Sequence, residues 1–160
     1  MKKRGPGDSI NNGIAVIAII GILAAIIVPL MLSYIRNSKI SQYNSNAKSI
    51  HSGAQLAITD VIKTGDTLIA DEIYLCEGEG VAVCKAVNSS DECDITDYLG
   101  ENFDGYFGFI TDEAGTGCAY AIWSDVPITE DMFDNGQMSY DDVKGTFSTS
   151  NPRGCHPLKL

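Results

Sequence analysis

The longest uniform pattern in the chain runs from Ile14 to Leu32, nineteen residues (IAVIAIIGILAAIIVPLML) without one charged or hydrogen-bonding side chain. As a helix rising 1.5 Å per residue it would measure ~28 Å, close to the ~30 Å hydrocarbon core of a bilayer. A helix that is apolar on every side is buried only in such a core or in a protein assembly that imitates one. Downstream the pattern changes without stopping. Ile40, Tyr43, Ala47, Ile50, Ala54, Ala57 and Val61 recur at alternating intervals of three and four, which lays one apolar stripe along an amphipathic helix. Lys39, Asn44, Asn46, Lys48 and Gln55 face elsewhere, Lys63 falls in the last turn, and Gly65 supplies a C-terminal cap. The pattern predicts one helix of roughly 50 residues, ~75 Å long. Gly21 and Pro29 lie inside it. Glycine costs ~1 kcal/mol relative to alanine, and proline removes a hydrogen bond and kinks the axis. Two readings of these positions stay open: ordinary tolerance within a membrane helix, or a place where the helix bends when its environment changes.

Past Gly65 the chain changes to short β-rich runs separated by turn formers. Asp94-Ile-Thr-Asp97 before Tyr98-Leu99 reads as a short capped helix that ends at Gly100. The runs 105–111 and 118–123, rich in aromatic and β-branched residues, flank the glycine-containing turn 112–117 and predict an antiparallel hairpin. Lys144 to Thr149 is a candidate edge strand. A small antiparallel sheet laid on the helical stripe would satisfy both apolar faces. The expected fold class is α+β, a long N-terminal helix packed against a small sheet.

Charge divides at the same point. Residues 1–64 hold seven Lys/Arg and two Asp/Glu, whereas residues 65–160 hold four and nineteen, so +5 is followed by −15. Phosphate backbones are repelled by so acidic a head, and no nucleic-acid partner is expected. Met1-Lys2-Lys3-Arg4 gives the basic flank that stays on the cytoplasmic side, which places the acidic part outside. A cleaved secretory signal fits poorly, because the apolar run is too long and no small-x-small site follows it.

Candidate chemistry is sparse. Asp131 to Gly136, closed by Asp142, has some positions of a calcium loop, but Phe133 occupies a required ligand position. Asp91, Glu92, Asp94 and Asp97 read as helix-start charges rather than a metal cluster. His51 sits on the helix away from any Cys or carboxylate set. Asn88-Ser-Ser90 fits a glycosylation pattern that is common by chance. No phosphate loop, nucleophile elbow or acid/base pair is visible, so no enzyme activity, metal or cofactor is expected. Five cysteines (76, 84, 93, 118 and 155) all lie in the acidic part, where disulfides form. Zinc is disfavoured by the absence of C-x-x-C pairs. With one cysteine left over, fifteen pairings are open. Cys76–Cys84 or Cys76–Cys93 would hold the segment between helix and sheet.

Val16-Ile-Ala-Ile-Ile-Gly-Ile-Leu-Ala-Ala-Ile26, Pro29, Tyr34 and Ser38-Lys39 resemble the N-terminal helix of type IV pilins and the related pseudopilins of type II secretion. The likeness is specific over residues 16–39 and architectural beyond residue 65. It implies a leader, residues 1–7, that a prepilin peptidase cuts between Gly7 and Asp8 before methylating the new amine. Residues 8–33 would then form the transmembrane and filament-core helix, with Gly21 and Pro29 in it, and residues 34–64 its amphipathic continuation. Residues 65–160 would form the disulfide-stapled head. It also implies a Cys118–Cys155 disulfide that pins the C-terminal segment to the hairpin. The family has phenylalanine after the cut and glutamate four residues later, and this chain has Asp8 and Asn12. Three accounts of that departure stay open: Asp8 serves as the local carboxylate, the subunit is a minor one, or the reading frame is altered across residues 6–13. An ordinary solvated Asp8 outside the membrane is an equal alternative to the first.

The resemblance implies a structural subunit of a pilus or pseudopilus. It would be stored in the bacterial inner membrane with its head outside, then assembled with copies of itself or other pilins by the inner-membrane machinery. Its location after assembly would be a cell-surface pilus or a periplasmic pseudopilus. The rival expectation is a single-pass anchored binding module that never polymerises.

Overall fold

The computed structural model describes residues 6–77, 82–100, 103–134 and 153–158, with side chains described from Gly13 onward in the first helix. One helix, α1 (Pro6–Lys63), is followed by six strands: β1 (Ile73–Glu77), β2 (Val83–Ala86), β3 (Glu92–Asp94), β4 (Tyr106–Thr111), β5 (Cys118–Ser124) and β6 (Gly154–His156). A 3-10 turn at Thr96–Tyr98 lies between β3 and β4, and a one-turn helix, α2 (Asp131–Asp134), follows β5. The layout is α+β. The chain divides into two compact units, residues 1–38 and 39–160.

In the first unit the helix is unbroken through Gly21 and Pro29. Every large apolar side chain from Ile14 to Ile35 is 47–75% exposed. A methyl group added at Gly21 would meet nothing within 4 Å. Among the described residues, one helix is long and apolar enough to cross a membrane.

In the second unit the rest of α1 packs on the sheet. The predicted stripe is the buried face: Ile40, Ala47, Ile50, Ala54 and Ala57 are buried, and Tyr43 and Val61 are half-buried. Ile58, which the stripe omits, is also fully buried. The helix ends where Gly65, at φ +93°, donates its N–H to the Ile62 carbonyl (3.0 Å). That left-handed conformation carries no Cβ penalty at glycine.

All strand pairs are antiparallel, in the order β3-β2-β1-β4-β5-β6. The predicted hairpin is β4–β5, with a register shift between Ile110 and Thr111. Strands β1 to β3 were not individually legible. The segment expected to be a loop between helix and sheet supplies half of the sheet, and Glu92 and Asp94 are strand residues rather than helix-start charges. Asp94 Oδ1 instead accepts from the Thr96 N–H (2.9 Å), which introduces the 3-10 turn. Residues 144–149 lie outside the described residues, and β6 is the edge strand beside β5.

Side-chain alternation gives the sheet two apolar faces. Tyr74, Cys76, Cys84, Cys93, Phe107, Phe109, Ala121 and Trp123 join the buried face of α1 in the main core. Tyr74 stacks on Phe109 at 5.0 Å, and Tyr43 of α1 stacks on Trp123 at 4.9 Å. The opposite face carries Ile122, Met132 and Phe133, with Leu75, Ile110 and Tyr120 against them. Phe133 is thus a core residue of α2, as is Met132, which removes it from any ligand set; Asn135, Gly136 and Asp142 of the suspected calcium loop lie outside the described residues.

Candidate functional site

Two regions stand out as candidates: the apolar helix of the first unit, and the seam between α1 and the sheet in the second. Gly7 and Asp8, the candidate cleavage residues, are in helical backbone at the start of α1. From Ile14 to Leu32 the side chains offer no hydrogen-bond donor or acceptor, and the helical backbone leaves out only the bond that Pro29, without an N–H, cannot donate. Such a surface is suited to lipid or to packing against other apolar helices.

The seam is where the sequence reading was incomplete. Asn44 and Gln55 were expected to face away from the core, yet both are half-buried and bind the sheet. Asn44 Oδ1 accepts from the Cys155 N–H at 3.2 Å, and Gln55 Oε1 accepts from the Cys118 N–H at 2.9 Å. His51 Nε2 lies 3.1 Å from the Cys118 carbonyl, and since a carbonyl only accepts, that nitrogen carries the proton. Both backbone groups of Cys118 sit beside the register shift of β4–β5, where ladder partners are lost, and α1 supplies replacements. Asn44, His51 and Gln55 are spaced seven and four apart, so they form a polar stripe beside the apolar one. Nothing in the periodicity marks them, because an amide at a half-buried seam position looks like an amide in water.

His51 also meets the only other histidine. Its ring lies 5.3 Å from that of His156, edge to face. Burial pushes the His51 imidazole below its ordinary value, partly offset by the bond to Cys118. His156 is lowered chiefly by burial, with the charges of His51 and Lys48 adding to the shift. At the edge, β6 presses on the helix: a Cβ on Gly154 would stand 2.2 Å from the Tyr43 carbonyl oxygen, so only glycine fits there.

The cysteines divide differently from the family-based expectation. Cys76 and Cys84 form a disulfide between β1 and β2. Cys93 and Cys118 are free, buried thiols. The expected Cys118–Cys155 bond is not formed, for a geometric reason. Cys155 is paired in register with Ile122. Cys118 lies four residues along β5 from that point, ~14 Å at ~3.4 Å per residue, and a disulfide requires Cα atoms within about 6.8 Å. Burial raises the Cys118 thiol to about 12 and the Cys93 thiol to about 11, so neither is an activated nucleophile at neutral pH. Among the described residues, no group of three or more His, Cys, Asp or Glu is placed to hold a metal ion.

No protein-family model, curated protein or solved structure matches the chain.

Proposed function

We propose that this chain is a structural subunit of the type IV pilin and pseudopilin class. The observation that carries the reading is the continuity of α1. One helix presents large apolar side chains on all sides from Ile14 to Ile35, then continues directly into a stripe buried by its own head. An anchor for a separate domain needs only the first half of that design. A filament subunit needs both, because the spine must be rigidly part of what it displays. In the bilayer the apolar half is satisfied by lipid; in a filament it is satisfied by the same halves of neighbouring subunits. Heads would then form the outer surface, carrying the excess of Asp and Glu that residues 65–160 contain.

Processing supplies the test. Mature protein from native envelopes, sequenced from its amino end and weighed, is expected to start at Asp8 with a methylated amine. A strain lacking prepilin peptidase should keep Met1 and lose the chain from sheared filament fractions. Normal assembly without that peptidase would overturn the proposal.

A second reading is favoured by Asp8 and Asn12, which replace the phenylalanine and glutamate of the pilin pattern. In it the chain is a single-pass anchored module whose acidic head binds a cationic or carbohydrate partner. An intact amino terminus in wild-type envelopes, with no chain in sheared fractions, is the result that reading requires.

A further inference from the structure

Three of the five cysteines fall in one row across three adjacent strands. The register Tyr74↔Ala86, Leu75↔Lys85 brings Cys76 opposite Cys84, and Cys84 is itself opposite Cys93. All three side chains belong to the helix-facing core. Cys84 therefore stands between two possible partners, and the ladder explains which it takes. Val87 donates to the Ile73 carbonyl, so hydrogen-bonded pairs alternate from there and Cys76/Cys84 is a non-hydrogen-bonded pair, the closer kind. Their Cα atoms are 4.3 Å apart. On the other side Ala86 donates to Asp91 and Ile95 to Ala82. That phase makes Cys84/Cys93 a hydrogen-bonded pair, with Cα atoms about 5.5 Å apart. Disulfides span about 4.4–6.8 Å, so the second pairing is within reach without moving the strands.

We propose that Cys93 is a resolving thiol for the Cys76–Cys84 bond, giving the head a second disulfide state. The Cys93 thiolate attacks Sγ of Cys84. A Cys84–Cys93 bond forms, the Cys76–Cys84 bond breaks, and Cys76 leaves as a thiolate that takes up the proton Cys93 gave away. One disulfide and one thiol stand on each side of the exchange, so no oxidant or reductant is consumed. The covalent tie moves from β1–β2 to β2–β3 and secures the edge strand at the expense of β1.

Burial holds the exchange in check. Cys93 is 2% exposed, and desolvation, with the Asp94 charge adding, raises its thiol to about 11. Tyr74, Tyr98 and Cys118 are the other titratable groups that feel its charge. Only about one part in ten thousand is thiolate at pH 7, against a few per cent for an exposed thiol. Release of β3, a three-residue strand at the sheet edge, would remove that restraint, as edge elements open locally most readily.

The test uses the full oxidised chain in detergent, without reductant, incubated between pH 7 and pH 10. Samples are quenched in acid, denatured in acid, alkylated and mapped by peptide mass. The expected result is a Cys84–Cys93 peptide that grows together with alkylated Cys76, at a rate rising about tenfold per pH unit. Cys93→Ser should abolish alkylated Cys76, whereas Cys118→Ser should leave it unchanged. The proposal is overturned if wild-type protein keeps only Cys76–Cys84 at pH 10. Equal release of Cys76 in Cys93→Ser, or capture of Cys84 by Cys118 instead, would overturn it as well.

Discussion

At the residue scale, the sharpest constraints sit where β6 meets α1. Gly154→Ala would drive a methyl group into the Tyr43 carbonyl. The strand has to move away, at a cost of about 1–3 kcal/mol, read as a lower urea midpoint. Beside it, His51 and His156 make stability depend on pH. Both imidazoles titrate below the ordinary 6.5, so the folded chain binds fewer protons than the unfolded one as pH falls below that value. Their contribution is complete above about pH 6.5 and is lost progressively toward the lowered folded values. The carboxylates of Asp94 and Asp112 are themselves held low, by hydrogen bonds from Thr96 and Thr116 respectively, and act further down the scale. Urea midpoints at pH 7.5 and 5.5 should therefore differ in wild-type protein, and the difference should shrink in His156→Gln, where His51 still contributes. An unchanged difference in that variant would show that His156 is not part of the cause.

At the element scale, α1 is held to the sheet by an apolar stripe and a polar one, and substitutions should separate them. Ile50→Ala removes a fully buried side chain and should cost about 2–5 kcal/mol. Leu56→Ala, at a position 53% exposed, should change stability by under about 0.5 kcal/mol. Gln55→Ala strands the Cys118 N–H, for about 1–3 kcal/mol, and Gln55→Glu, which keeps an acceptor, should recover part of the loss. The apolar stripe was readable because Ile40 to Val61 repeat at helical intervals, and the β4–β5 hairpin because its aromatic runs flank a turn. Strands β1–β3 are only three to five residues long. β1–β2 and β2–β3 pair with near neighbours along the chain, but runs this short carry too little alternation to stand out, and the β1–β4 pairing spans chain that a local window does not contain. The polar seam was hidden for another reason, and Cys76–Cys84, one of the two alternatives read for Cys76, is the one the structure forms. A hydrogen bond to a backbone group far along the chain leaves no periodic mark, and the choice of cysteine partner depends on strand register.

At the scale of the whole molecule, the two units ask for different solvents. Residues 39–160 contain a complete core on both faces of the sheet, so that fragment is expected to be soluble and to unfold cooperatively by circular dichroism. Insoluble or uncooperative material would mean that the first unit contributes to the fold. Ile20→Lys places a charge in the middle of the apolar run, at a cost of about 2.5–3.5 kcal/mol in the bilayer centre. It should shift the full chain out of the membrane fraction while leaving the urea midpoint of the head unchanged. All five cysteines lie beyond Lys63, so the only covalent link between helix and sheet is the peptide chain of residues 64–72; the rest is packing and the hydrogen bonds of Asn44, His51 and Gln55. A protease that nicked that connector would turn an intramolecular docking into a bimolecular one. The two pieces would then part on dilution even under fully oxidising conditions, and the released sheet would carry off a core stripped of its helical half.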